Sequence, residues 1–249
     1  MKHTDFVDEF FVAVQRDSVE RARELILKGA DVNEVNGSSH KAIEYVRSAE
    51  MVKLLVDSGA NVHSVGSYAT DTPLHVAANE SVVRALIQAG ADVNAQNNKG
   101  ITPLYFASEW GNLDTVNGLI KAGADVNLRD DYGLTPLHRS SLKGHVDVMK
   151  SLIKAGADVN AENEYGNTPL FDTRESRVLS VLIEAGADVK ARNDEGKTVG
   201  EHFRRFNRAE MGDLADDFEN QVVKHDKKLL DTNLPSAVQP GKKKAKAYI

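Results

Sequence analysis

The stretch GADVNLRDDYGLTPLHRSSLKGHVDVMKSLIKAG, residues 123–156, encodes two short helices and the turns that bound them. Thr135 followed by Pro136 starts a helix: the hydroxyl caps a free backbone N–H, and proline at the first helical position lacks a donor that would have no partner there. Gly156 stops a helix, because glycine takes the left-handed backbone of a helix end without strain. Val146, Met149, Leu152 and Ile153 lie at helical spacing in between, and 33 residues earlier Leu113, Val116, Leu119 and Ile120 form the same stripe.

Outward from this stretch the phrases recur. Gly-Ala-Asp-Val-Asn stands at 29–33, 90–94, 123–127 and 156–160, with Gly-Ala-Asn-Val-His at 59–63 and Gly-Ala-Asp-Val-Lys at 186–190, so the spacings are 30, 31, 33, 33 and 30 residues. Thr-Pro-Leu-x begins at Thr72, Thr102, Thr135 and Thr168. A period of this length means stacked units, each unable to bury its own apolar face. The chain has 249 residues, 41% hydrophobic and only 6% aromatic, and the period lays that apolar content out as a thin ribbon.

This combination resembles the ankyrin repeat, over about residues 6–203. The resemblance implies an all-α solenoid of helix–turn–helix units with hairpin-like finger turns. The expected units are an N-terminal capping repeat at 1–33, central repeats at 34–63, 64–94, 95–127, 128–160 and 161–190, a degenerate capping repeat and helix at 191–230, and a basic disordered tail at 231–249. Phe10, Phe11, Val12, Ala22, Leu25 and Ile26 suit the first cap. Phe203, Phe206, Leu214, Phe218, Val222 and Leu229 are available to cover the last repeat. The copies ending at Gly59, Gly90 and Gly186 are about three residues short, which reads as a tightened turn with both helices kept. The first of these has Lys41-Ala-Ile-Glu44 where Thr-Pro-Leu-His is expected, leaving its cap in doubt. Gly118 lies inside a helix and should cost about 1 kcal/mol relative to alanine.

Catalytic signatures are weak. No cysteine is present, which removes disulfides, thiolate nucleophiles and Cys-ligated zinc. Gly196-Lys-Thr198 ends like a phosphate-binding loop, but Ala191 stands where its first glycine belongs, and the repeat register accounts for the same residues. His75 and His138 close their Thr-Pro-Leu-His phrases, where the resemblance implies hydrogen bonding to the neighbouring turn. Tyr105 and Phe171 hold the same position, so no chemistry depends on it. Neither enzyme activity, a cofactor nor a metal is expected, and no run of about 20 apolar residues suggests a membrane span. Acidic residues interrupt the apolar N-terminal segment, so no signal peptide is expected. The cytoplasm is the expected compartment, with secretion into a host cell without a cleaved signal as the alternative.

The net charge of -6 divides into +5 over residues 227–249 and -11 over the rest, so a protein partner is expected and nucleic acid is not. Lys242-Lys-Lys-Ala-Lys246 reads as a solvated end, with nuclear import or an anionic surface as alternatives. In the ankyrin family, fingers and first helices form a concave binding groove. Mapped here, the finger positions include Lys99, Arg129, Asp131, Tyr132, Glu164 and Tyr165; the helix positions include Val76, Phe106, Glu109, Trp110, Arg139, Lys143 and Asp172. Trp110, the only tryptophan, stands where the repeat requires no apolar residue. Large aromatics of this kind anchor interfaces, although packing over a neighbouring shortened turn is the alternative. Arg139 and Asp172 occupy equivalent positions and are expected to face one another. Leu86…Asn94, Leu119…Asn127 and Leu152…Asn160 resemble the sites of an asparaginyl hydroxylase in eukaryotic ankyrin proteins. A monomeric, non-catalytic adaptor, scaffold or inhibitor is the expected function, and an effector using the same groove on a host protein is the alternative.

Overall fold

The computed structural model describes residues 3–66, 70–206 and 208–233. Its helices are α1 (His3–Gln15), α2 (Val19–Leu27), α3 (Ala49–Asp57), α4 (Glu80–Gln88), α5 (Pro103–Trp110), α6 (Leu113–Lys121), α7 (Pro136–Lys143), α8 (Val146–Lys154), α9 (Ser176–Glu184), α10 (Val199–Arg205) and α11 (Ala209–Asn233), with a 3-10 turn at Ala42–Tyr45. No strand occurs among the described residues beyond two isolated bridges, and the architecture is an all-α ankyrin-type solenoid.

The two layers follow from the repeated phrases. In the outer layer α2, α3, α4, α6, α8 and α9 stack side by side, burying Leu25, Leu55, Leu86, Leu119, Leu152 and Leu182 in one continuous core. The inner layer contributes Ile43, Leu74, Leu104, Leu137 and Leu170 to the same core. Thr102 and Thr135 cap α5 and α7, accepting the N–H groups of Tyr105 and His138 at 3.2 and 3.4 Å. Outer helices end as expected at glycine: Gly123 has φ +88°, its N–H bonds Ile120 O, and the N–H of Ala124 reaches back to Leu119 O.

The shortened copies correct the expectation of a tightened turn. Nine residues separate the cap Thr102 from the next cap Asn112, and nine separate Thr135 from His145. Only six separate Lys41 from Ser48, Thr72 from Asn79 and Thr168 from Glu175. Eight helical residues and a left-handed glycine fill the longer span, as in Pro103–Trp110 with Gly111 at φ +70°. Six cannot hold both a helix and an extended cap, and Asn79 is extended at φ -163°, ψ 171°. The inner helix is therefore lost in these copies, leaving a 3-10 turn at 42–45 and simple turns at 73–76 and 169–172.

Finger turns are closed by side chains. Asp130 Oδ1 accepts the N–H groups of Tyr132 and Leu134 at 2.9 and 2.8 Å, and Asn163 Oδ1 accepts those of Tyr165 and Asn167 at 2.9 and 3.1 Å. Neighbouring fingers are joined by Asp131 N–H to Lys99 O, Glu164 N–H to Tyr132 O and Asp194 N–H to Tyr165 O, at 3.0, 3.0 and 3.1 Å. Gly133 permits this approach: it has φ +74°, and a Cβ there would lie 3.1 Å from both Asn163 Cα and Glu164 N. Gly118 has a similar role in α6, where a Cβ would meet Glu80 Cα of α4 at 3.1 Å. The cost read from helix propensity leaves out this packing.

The fourth position of Thr-Pro-Leu-His joins repeats, as the resemblance implies. His75 Nε2 donates to Ile101 O at 2.9 Å and His138 Nε2 to Asn167 O at 3.1 Å, while Nδ1 of each faces its own threonine hydroxyl. Burial lowers the pKa of both, that of His138 to about 4.

At the ends, Phe10, Phe11, Phe203, Met211 and Ala215 are buried, and Arg204 ties α10 to α11 through Asp213 and Asp216 at 2.8 and 2.6 Å. Phe206 departs from its expected covering role, being 54% exposed just beyond α10. Helix α11 runs through Asp231 to Asn233, past the expected start of the tail; residues 234–249 and the side chains of Val222 and Leu229 lie outside the described residues.

Gly133→Ala should destabilise the protein by about 2 kcal/mol in urea unfolding, from left-handed strain plus the close contact with the next finger. For His138, the unfolded imidazole, near 6.5, binds protons that the folded one refuses down to about 4. Stability should therefore rise with pH across that window, His138 withdrawing about 2 kcal/mol at pH 5 relative to pH 8. A flatter pH dependence of the unfolding free energy in His138→Gln checks this sign.

Candidate functional site

The inner face carries the sequence-derived positions at three levels. At the finger tips Lys99, Asp131, Tyr132, Glu164 and Tyr165 are exposed, Tyr132 at 58% and Tyr165 at 62%. Bonds between neighbouring fingers hold their backbones in place. Arg129 is folded back onto its finger instead of projecting, with Nε on Gly133 O at 3.1 Å and a terminal nitrogen on Glu162 O.

Below the fingers, α5 and α7 pack side by side. Arg139 donates to Glu109 at 2.5 Å, and Lys143 Nζ lies 3.5 Å from the same carboxylate. The Arg139 guanidinium also lies 5.5 Å from the centre of the Tyr105 ring, whose hydroxyl donates to Asp130 at 2.7 Å. Burial and the Asp130 carboxylate push the Tyr105 phenol well above its ordinary range, so it remains a donor. Arg139 Nε is buried without an acceptor.

The structure replaces the expected Arg139–Asp172 pair by Arg139–Glu109. Asp172 belongs to the turn at 169–172 and not to an inner helix, and it stays near enough for Arg139 to act on its carboxyl without forming the ion pair. Burial pushes its carboxyl up to about 7, against the opposing pull of Arg139 and Arg174.

The third level is a hollow of about 300 Å³ lined by His75, Val76, Ala77, Ala78, Phe106, Ala107, Trp110 and Asn112. It lies where the copy ending at Gly90 lacks its inner helix, so the flank of α5 faces open space. Trp110 borders it at 72% exposure and does not pack down over the shortened turn. A second cleft of about 370 Å³, lined by Glu44, Tyr45, Val46, Arg47, Val76, Ala78 and Asn79, shares Val76 and Ala78 with the first. Sequence reasoning named Phe106, Trp110 and Val76 but missed the hollow, whose signal was the six-residue spacing between caps. Among the described residues no three His, Asp or Glu side chains converge as a metal set, and no helix is long and apolar enough to cross a membrane.

Comparison with known proteins agrees with this architecture. The family model for ankyrin repeats in three copies matches residues 39–130, and that for ankyrin repeats in many copies matches residues 119–170. Cyclin-dependent kinase 4 inhibitor B of Homo sapiens is 33% identical over 107 residues, covering 41% of this chain and 78% of the human protein. Its Rattus norvegicus counterpart is 32% identical over 107 residues, covering 41% and 82%. A putative ankyrin repeat protein of fowlpox virus is 32% identical over 104 residues, covering 39% of this chain and 30% of the viral protein. Period, two-layer stacking and these matches together place the chain in the ankyrin-repeat family.

Proposed function

We propose that this chain is a non-catalytic protein-binding module whose anchor is the hollow beside α5. The observation that carries the reading is Trp110, 72% exposed beside Val76 and Phe106 at an open apolar site. Covering an indole so exposed removes on the order of 150 Å² of surface from water, about 3–4 kcal/mol of gross driving force before association costs. Those costs are reduced by preorganisation, because finger backbones and inner helices are already bonded to their neighbours.

Around the anchor the charged positions separate into paired and free groups. Glu109, Arg139 and Lys143 pair with one another, so they are the committed group. Lys99, Asp131, Tyr132, Glu164 and Tyr165 offer a second row on the fingers, with Arg129 fixed behind them and Asp172 at the far edge. The name of the human relative states inhibition of cyclin-dependent kinase 4, so protein kinases are the first partner class to assay, with this chain as an inhibitor or adaptor.

Titration calorimetry of the full chain against a cyclin-dependent kinase panel, with affinity capture to extend it, tests the reading. Trp110→Ala and Phe106→Ala should each weaken binding tenfold or more, the range of an interface hot spot. Trp110→Ala should leave the urea midpoint unchanged because its side chain is mostly solvated. Equal affinity of wild type and Trp110→Ala for an authentic partner removes the hollow from the interface.

A further inference from the structure

Asparagine is followed by glycine at Asn36-Gly37 and at Asn117-Gly118, and the fold holds the two pairs differently. Such a pair can convert itself: the glycine nitrogen attacks the side-chain amide carbon, ammonia leaves, and water opens the resulting ring. Glycine favours the attack because no Cβ screens its nitrogen. The step also needs that nitrogen unengaged and within reach of the carbon.

Asn36 opens a finger turn. Its Oδ1 accepts the N–H groups of Ser38 and His40 at 2.9 and 3.1 Å, the arrangement that Asp130 and Asn163 make in later fingers. Two donors on this oxygen stabilise the negative charge that attack on the amide carbon places there. Gly37 is exposed, its N–H makes no hydrogen bond among the described residues, and nothing lies within 4 Å of the place of its Cβ. In later fingers the equivalent N–H is tied to the preceding repeat. Asn98 donates to Thr70 Oγ1 at 2.7 Å, Asp131 to Lys99 O at 3.0 Å, Glu164 to Tyr132 O at 3.0 Å and Asp194 to Tyr165 O at 3.1 Å. Among the described residues no finger precedes α1, so Gly37 has no such neighbour.

Asn117-Gly118 is the opposite case. Both residues lie inside α6, where the helical ladder engages the Gly118 N–H, and Ser151 donates to Asn117 Oδ1 at 2.6 Å. The Cα of Glu80 stands 3.1 Å from the place of a Cβ on Gly118, so this backbone is also packed.

We infer that Asn36 is a self-modification site, where the folded protein exchanges a side-chain amide for a carboxylate with water as the only co-reactant. The bond formed first joins Gly37 N to Asn36 Cγ, and the bond broken is Cγ–Nδ2, the Gly37 proton leaving with the ammonia. Water then opens the ring at either carbonyl, giving aspartate or its β-linked isomer. The aspartate product keeps the turn, since Asp130 Oδ1 already makes the same pair of bonds. Asn36 Nδ2 lies 3.5 Å from the Tyr45 hydroxyl, and Tyr45 lines the 370 Å³ cleft, so the new charge arises beside that cleft.

Ageing of the full folded chain in mildly alkaline buffer, followed by peptide mass spectrometry that separates the two products, tests the inference without any partner. Asn36 should convert at least about tenfold faster than Asn117 and than the finger residues Asn97, Asn163 and Asn193. In concentrated urea, with turn and helix both lost, Asn36 and Asn117 should convert at similar rates. Gly37→Ala puts a methyl group into open space where the backbone is not left-handed, so it should slow conversion about tenfold without moving the urea midpoint. The inference is overturned by an Asn36 that converts no faster than Asn117 in the folded protein, or only after unfolding. A rate difference that persists in urea, or indifference to Gly37→Ala, overturns it equally.

Discussion

No helix pair in this protein can bury its own apolar face, so everything depends on the number of residues between one helix cap and the next. Nine residues between caps hold an inner helix and a left-handed glycine, as in α5 with Gly111 and α7 with Gly144. Six hold only a turn. The outer layer survives either way, since Val82, Val83 and Leu86 are buried as thoroughly as Val116 and Leu119. The inner face alone changes, and that is where Trp110 stands free.

The fold was legible in the sequence because its signals are local and repeated. Thr-Pro, terminal glycine and the apolar stripe each act within a few residues. What was not legible depends on pairs of elements. Gly118 read as a helix defect until the backbone of Glu80 was found 3.1 Å from the place of its missing Cβ. Asp172 read as the partner of Arg139 because equal spacing was taken to mean equal conformation, and the missing helix removes that equality. Phe206 read as core by type, yet it lies beyond the end of α10 and stays exposed.

Polar groups on the inner face show which positions are committed to the scaffold. His75 and His138 spend their imidazoles between repeats, and Tyr105 spends its hydroxyl on Asp130. Arg129 is bound to backbone carbonyls of its own and the next finger. The groups left over are mainly aromatic and finger-tip residues, a surface that the solenoid does not need for its own assembly.

The three-residue shortfall has a consequence for how such a surface can change. Three residues are close to one helical turn, and they are removed from the inner side, between two caps that each restart the chain afresh. Their loss therefore does not put the outer helices out of phase, and the core leucines keep their places. Length variation at this one joint adds or deletes one helix of the inner face, reshaping that surface by an entire element without a single substitution in the core.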